Sequence, residues 1–363
     1  MKIAHICFVD TLSIYSGVRK KLSYQEEAWL RAGHQVLSVT VTREPAEPLL
    51  GETQGFTHLN FHPSSRLDSE FACLDVARQV QNWAPDLIYC RISTWRPLLH
   101  TLFRRYPVVL EINSDFDKEK ALVYSKTQYL YYRITKNWYY HTLNGFVCLT
   151  PEMAATCTPY GKPICVIGDA IDLSSYAVLN APCNASPHLF FIGTPDQSWQ
   201  GLDLVVEMAR LRPCWHFDIV GYQQSDAVLS GLPNLTIHGQ LAYVDYRKLM
   251  EQADVAIGTL ALFRKGQRQN CPIKVREYLA HGLPVIIGYE DVDFPMDYSP
   301  FLLRLPNEEH NVNNTIDQID RFVMDWQGKR IDHQMIAHID SSQKEAVRLS
   351  FFAEVIAKKC SPV

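Results

Sequence analysis

QNCPIKVREYLAHGLPVI, residues 269–286, decides the fold. KVREYLAHG (274–282) reads as a short helix, entered through the turn Pro272-Ile273-Lys274 and left through the small Ala280-His281-Gly282 step. LPVIIG (283–288) is a continuous apolar run, the pattern of a strand buried on both faces. ADVAIGT (253–259), just upstream, is another. Strand, helix and strand at this spacing form one turn of a parallel α/β sheet.

The same alternation extends in both directions. Upstream lie strands HLFFIGT (188–194), WHFDIVG (215–221) and LTIHG (235–239), with helices LDLVVEMARLR (202–212) and VDYRKLMEQ (244–252) between them. The first half repeats the scheme. KIAHICFV (2–9) is a buried strand, VRKKLSYQEEAWLRAGH (18–34) a helix that Gly33 is placed to end, and HQVLSVTVT (34–42) the second strand. PDLIYCRI (85–92), PVVLEIN (107–113) and NGFVCLT (144–150) follow. The expectation is an α/β chain with two Rossmann-like, doubly wound domains facing across a cleft. The assigned ranges are 1–175 and 176–340, with the polar stretch NAPCNASP (180–187) as linker. A final helix, 341–357 within a segment 341–363, is expected to pack back on the first domain.

Composition excludes other classes. A chain of 363 residues with 47% hydrophobic and 20% charged residues has the profile of a packed globular protein, long enough for two cores. Its net charge of −4 gives no reason to expect a nucleic-acid partner. No apolar run reaches the roughly 18–20 residues of a membrane span. The start MKIAHICFVD reads as a first strand rather than an export signal, so a cytoplasmic location with free thiols is expected. None of the ten cysteines forms a C-x-x-C pair, which argues against a zinc site. The first domain lacks G-x-G-x-x-G, which argues against a dinucleotide oxidoreductase.

In open parallel sheets ligands bind beyond the carboxyl ends of the strands. The loops 10–17, 91–97, 113–120, 194–201, 221–225, 239–243 and 260–274 are therefore the ones to inspect. Within them, EINSDFDKE (111–119) holds Glu111, Asp115, Asp117 and Glu119. Such a cluster can bind hydroxyls or move a proton, with Asp115 the preferred member; equally, it can cap a helix. Asn113 in the same loop and Arg91 after LIYC are further acceptor-side candidates. The segment YSKTQYLYYRITKNWYYHTL (124–143) combines six Tyr and a Trp with Lys126, Arg133, Lys136 and His141. It reads as a core helix with amphipathic tips, or as a surface that touches a membrane.

At this point the chain resembles the family 4 glycosyltransferases, retaining enzymes of GT-B fold. FIGTPDQSWQGLDLVVEMA (191–209) looks like the family's F-x-G-…-W-K-G-x-D. FDIVGY (217–222), LPNLTIHGQL (232–241) and CPIKVREYLAHGLPVI (271–286) match further segments in order, and VIGDAID (166–172) looks like the interdomain stretch. The resemblance implies a nucleotide-sugar donor on the second half and a glycan or lipid-linked acceptor on the first. A setting in surface polysaccharide or glycolipid synthesis is implied too, with peripheral contact at the inner membrane face and neither cofactor nor metal required. Glu277 then matches the carboxylate that holds the ribose hydroxyls. Gly17 matches the glycine loop near the diphosphate, Gly221 lies beneath the nucleotide, and Leu241 lies next to the base.

Three positions depart from the pattern. Gln269 stands where the family has the first Glu of E-x7-E, and is carried over as a catalytic candidate. Thr194 and Gln200 stand where the family has the Arg and Lys that neutralise the leaving diphosphate. Negative charge builds there during transfer, and losing one such contact costs on the order of ~3 kcal/mol. Arg264 and Lys265, Lys274, or Arg19 and Lys20 are placed to supply replacement charge. The departures leave an alternative open: a partner or binding subunit that has kept the fold and lost the chemistry. Another GT-B activity, such as a sugar-nucleotide epimerase, is a third.

Overall fold

The computed structural model describes residues 1–9, 12, 17–43, 48–51, 53–223, 231–295 and 299–360. The chain forms two compact units, Met1–Ala170 with Ser341–Val363, and Ile171–Asp340.

The first unit contains β1 (Lys2–Phe8), α1 (Gly17–Arg31), β2 (Gln35–Val41), β3 (Phe56–Phe61), α2 (Arg66–Trp83), β4 (Leu87–Arg91) and α3 (His100–Arg105). Then come β5 (Val108–Ile112), α4 (Phe116–Val123), α5 (Lys126–Thr142), β6 (Gly145–Cys148), α6 (Pro151–Cys157) and β7 (Ile164–Val166). Its seven strands are all parallel, in the order β3-β2-β1-β4-β5-β6-β7. The chain winds outward from β1 to β3 and returns to β4 on the other side of β1. The switch point therefore lies between β1 and β4, where a ligand crevice opens in such sheets.

The last helix of the chain, α12 (Ser341–Cys360), belongs to this unit. Phe351, Phe352 and Val355 enter the apolar cluster of Ile3, Trp29 and Tyr89. A Cβ on Gly145 would lie 3.1 Å from both Phe351 and Val355, so α12 rests directly on β6. A buried polar set fixes its register. Arg348 Nε donates to Glu345 at 2.7 Å, Arg348 Nη1 to the Tyr89 hydroxyl at 2.6 Å, and Trp29 Nε1 to Glu345 at 2.8 Å.

The second unit contains β8 (His188–Ile192), α7 (Leu202–Leu211), β9 (His216–Val220), β10 (Leu235–Ile237), α8 (Tyr243–Gln252), β11 (Val255–Ile257) and β12 (Gln269–Asn270). It continues with α9 (Ile273–Ala280), β13 (Val285–Ile287), β14 (Glu290–Asp291), β15 (Leu302–Arg304), α10 (Asn311–Asn314) and α11 (Ile316–Trp326). Six parallel strands run in the order β10-β9-β8-β11-β13-β15, and β12 pairs separately with β14. The winding repeats that of the first unit, with the switch point between β8 and β11. Apolar side chains of α7 and α11, among them Val205, Met208 and Val323, close over Phe191, Phe217 and Ile257.

The units change at Ala170–Ile171, not within 180–187. The latter stretch is tied into the second unit, where Asn184 Nδ2 donates to the Gln252 carbonyl and to Asp254 at 2.8 and 2.9 Å. Two elements carry no clear signal in the sequence. In β3, FTHLNF interrupts the apolar run with His58 and Asn60. Along α2, Leu67, Phe71 and Leu74 are exposed, so its apolar spacing does not mark a core face.

Candidate donor and acceptor sites

Glycines shape the carboxyl end of the second sheet. At Gly221 φ is +96°, and a Cβ there would lie 2.1 Å from the Gly193 carbonyl oxygen. A Cβ on Gly193 would in turn meet the Tyr222 hydroxyl at 2.6 Å. The chain ends of β8 and β9 thus pack backbone on backbone at Gly221, with the Tyr222 ring against Gly193, and form a glycine-lined floor next to the switch point. Gly288 repeats the device between the ends of β13 and β11, since a Cβ there would lie 2.2 Å from the Leu260 carbonyl oxygen. Leu260 and Ala261 donate their amides to the carbonyls of Gln200 and Trp199, which joins the loops after β8 and β11.

Charged groups surround this floor. Lys274, in the first turn of α9, donates to the Ile192 carbonyl at 3.0 Å and to Gln200 Oε1 at 2.6 Å. Its ammonium sits 4.6 Å from the centre of the Phe191 ring. Burial pushes the ammonium down to about 7. Gln200 passes its own amide on to Gln197 at 2.9 Å. Arg264 grips Asp203, in the first turn of α7, with two hydrogen bonds of 2.8 and 2.6 Å, and adds a third to the Ser198 carbonyl. This two-pronged pair neutralises the guanidinium and pins the segment 262–265 to α7. Lys265 lies 4.5 Å from the Trp199 ring centre. Thr194 is exposed, and its carbonyl accepts from the Tyr222 hydroxyl at 3.2 Å.

Glu277 follows Lys274 by three positions on α9 and is 6% exposed. One of its oxygens accepts the Tyr246 hydroxyl at 2.9 Å. Gln269 is in β12, where its amide reaches Glu290 of the paired β14 at 3.4 Å. The sequence reading passed over Glu290, because its proximity to Gln269 depends on the pairing of two-residue strands. Leu241 is half-buried in the loop after β10. Asp291 and Asp293 serve as an anchor: buried Arg276 binds Asp291 through two bonds of 2.8 Å and Asp293 through one of 2.9 Å. Residues 224 and 225 of the loop after β9 lie outside the described residues.

At the corresponding edge of the first unit, Gly17 is the exposed first residue of α1. Of the loop before it, residues 10, 11 and 13–16 lie outside the described residues. Within α1, Arg19 donates to the Pro48 carbonyl at 2.6 Å. The four acids of 111–119 separate. Glu111 is interior, on β5, where Lys21 binds it and also Asp169 at 2.6 Å. Burial opposes its charge, but Lys21, Arg91 and Arg348 outweigh that and hold the carboxyl at about 2. Asp115 is the N-cap of α4 and accepts the Lys118 amide at 3.1 Å. Asp117 binds Lys136 at 2.7 Å and the Tyr132 hydroxyl at 2.9 Å, while Glu119 accepts from Ser114. Arg91 ends β4, partly buried, and Asn113 follows β5.

α5 buries Tyr132, Lys136, Tyr139 and Tyr140. Its opposite face exposes Leu130 (61%), Tyr131, Ile134 and Trp138 (62%). The core reading of 124–143 therefore describes one face only. Among the described residues no helix is long and apolar enough to cross a membrane.

Comparison with known families matches residues 16–175 to Glycosyltransferase Family 4 and residues 186–293 to Glycosyl transferases group 1. Comparison with curated proteins gives no match. Among solved structures, sucrose-phosphate synthase from Thermosynechococcus elongatus is similar at 13% identity and a TM-score of 0.69, over 98% of this chain and 99% of that one. The lipopolysaccharide outer core galactosyltransferase WaaB is similar at 11% identity and 0.66, over 99% and 100%. Anabaena HepE in complex with UDP and glucose is similar at 14% and 0.56, over 99% and 98%. The chain belongs to the family 4 glycosyltransferases and has the GT-B fold. It is a glycosyltransferase, which transfers a sugar from a donor.

Proposed function

We propose that the protein is a retaining glycosyltransferase that moves a sugar from a nucleotide-sugar to a glycan or lipid-linked acceptor. The donor lies on the glycine-lined floor at the ends of β8 and β9, and this floor is the observation that carries the reading. Beside it, Glu277 offers a carboxylate for the ribose hydroxyls, and the cations needed at the diphosphate come from side chains rather than a metal. HepE, of the same fold, was solved with UDP and glucose bound. The acceptor belongs to the first unit, near Arg91 and Asn113.

The exposed face of α5 supports an acceptor at a membrane surface. The helix also exposes Lys126 and Arg133 and its sequence holds no carboxylate, which suits anionic headgroups. Surface polysaccharide or glycolipid synthesis is the setting that fits. A cytoplasmic location agrees with the free thiols of all nine described cysteines.

The test is to incubate the protein with a panel of nucleotide-sugars, measuring binding and slow donor hydrolysis. At least one donor should bind in the micromolar to millimolar range, and the anomeric configuration of the transferred sugar, read by NMR, should match that of the donor. Failure of every donor to bind refutes the transferase reading, and an inverted product refutes retention.

A further inference from the structure

Lys274 is a cation without a counter-ion. Among the described residues no carboxylate pairs with it, and its recorded partners are the Ile192 carbonyl, Gln200 Oε1 and the Phe191 ring. The neighbouring cations described above are placed differently. Arg264 is matched by Asp203, Arg276 by Asp291 and Asp293, and Lys265 stands on Trp199. From β8, Lys274 is faced by neutral groups, the Ile192 carbonyl and the Phe191 ring; that ring stacks on Tyr222 of the loop after β9, and the Tyr278 hydroxyl of α9 accepts the Ile192 amide. None of these carries a negative charge at neutral pH.

A part-buried ammonium with only neutral acceptors is costly, and it is relieved either by losing its proton or by gaining an anion. Its position decides which anion is available. The Ile192 carbonyl is the carboxyl end of β8, beside the switch point and the glycine floor, and α9 begins there without a side-chain cap on its N-terminal amides. Resting on the donor reading above, we propose that Lys274 binds the diphosphate of the nucleotide-sugar and that donor binding takes up a proton there. Gln200 then acts as a positioning residue, holding Nζ through its Oε1 until the diphosphate arrives.

The sign follows from linkage. In the free protein burial alone holds the ammonium at about 7; with a dianion against it, the charged form is favoured across the neutral range. Binding is then proton-neutral in acid and takes up close to one proton in mild base. A free-state value near 7 predicts that affinity falls about 25-fold from pH 6.5 to pH 8.5. The diphosphate diester of a nucleotide-sugar has no ionisation of its own in this window.

The experiment is isothermal titration of the full chain with UDP-, GDP- and ADP-glucose, in pairs of buffers that differ in ionisation enthalpy, at pH 6.5, 7.5 and 8.5. Wild type should show proton uptake that rises with pH. Lys274→Met should bind at least tenfold more weakly at pH 6.5 and show no uptake. Lys274→Arg, which cannot lose its charge, should bind with no uptake and a flat pH profile. Wild-type binding without proton uptake overturns the proposal, as does uptake that persists in Lys274→Arg. The arginine variant decides the matter even where circular dichroism shows that Lys274→Met fails to fold. If no donor binds wild type at any pH, the transferase reading itself is what fails.

Discussion

Replacing Glu277 separates a donor ligand from a structural carboxylate. The side chain is 6% exposed and one oxygen is occupied by the Tyr246 hydroxyl at 2.9 Å. Glu277→Gln keeps an acceptor for Tyr246 and removes the charge. A hydrogen bond to a charged group contributes ~1.5–3 kcal/mol, so donor affinity should fall roughly ten- to a hundredfold while the fold is kept. Glu277→Ala removes more. It also removes the hydrogen bond from the buried Tyr246 hydroxyl to a carboxylate, at about 1.5–3 kcal/mol of stability. In a unit of this size that lowers the melting temperature by roughly 2–4 °C for each kcal/mol. Titration calorimetry with the best donor of the panel, together with thermal melts of both variants, gives the two quantities. If Glu277→Gln binds donor like wild type while Glu277→Ala merely melts early, Glu277 serves only to hold Tyr246.

Three further outcomes are expected. Asp115→Ala should cost about 1 kcal/mol as the N-cap of α4 is lost, whereas Asp115→Asn should keep both stability and turnover; a hundredfold loss of turnover in the Asn variant at unchanged melting temperature would instead assign the carboxylate a catalytic part. Arg348→Leu leaves Glu345 as a buried unpaired charge and should cost about 3–5 kcal/mol in urea denaturation, with part of this recovered when Glu345 is also made Leu. Glu111 has its carboxyl lowered from 4.5 to about 2, so its contribution is complete above pH 4.5 and is lost as pH falls toward 2. The loss should approach ~3 kcal/mol, and Glu111→Gln should flatten stability against pH in that window.

What could be read from the sequence follows the physics of each element. β1, β5, β8 and β13 are buried on both faces, so continuous apolar runs announce them. The helix at 341–357 was legible from its single apolar face, and extends to Cys360 in the structure. β3 and α2 were not legible, because both keep polar or solvent-facing residues where the rule looks for apolar ones. The linker reading failed because proline and asparagine mark irregular backbone wherever it occurs, whether between units or pinned within one, as Asn184 is by Asp254. The acids of 111–119 illustrate a further limit. Their spacing marks a strand end and a helix start, but which carboxylate is capped, buried or paired depends on Lys21 and Lys136, which lie far away in sequence.

The departures at the donor edge carry the same lesson to its functional consequence. Gln200 and Gln269 looked like lost charges when each was taken alone. In the fold Gln200 receives Lys274, 74 residues further on, and Gln269 lies against Glu290, 21 residues on. Two of the three neutral positions therefore stand next to a charge of the sign that the family motif carries there. Among the described residues Thr194 has no such neighbour, its carbonyl being met by a tyrosine hydroxyl. The ammonium of Lys274 stands part-buried at the end of β8 among neutral acceptors, an arrangement that costs stability until an anion meets it. Its place beside glycines whose every Cβ would collide with backbone or side chain favours a working donor site over a partner subunit that has only kept the fold.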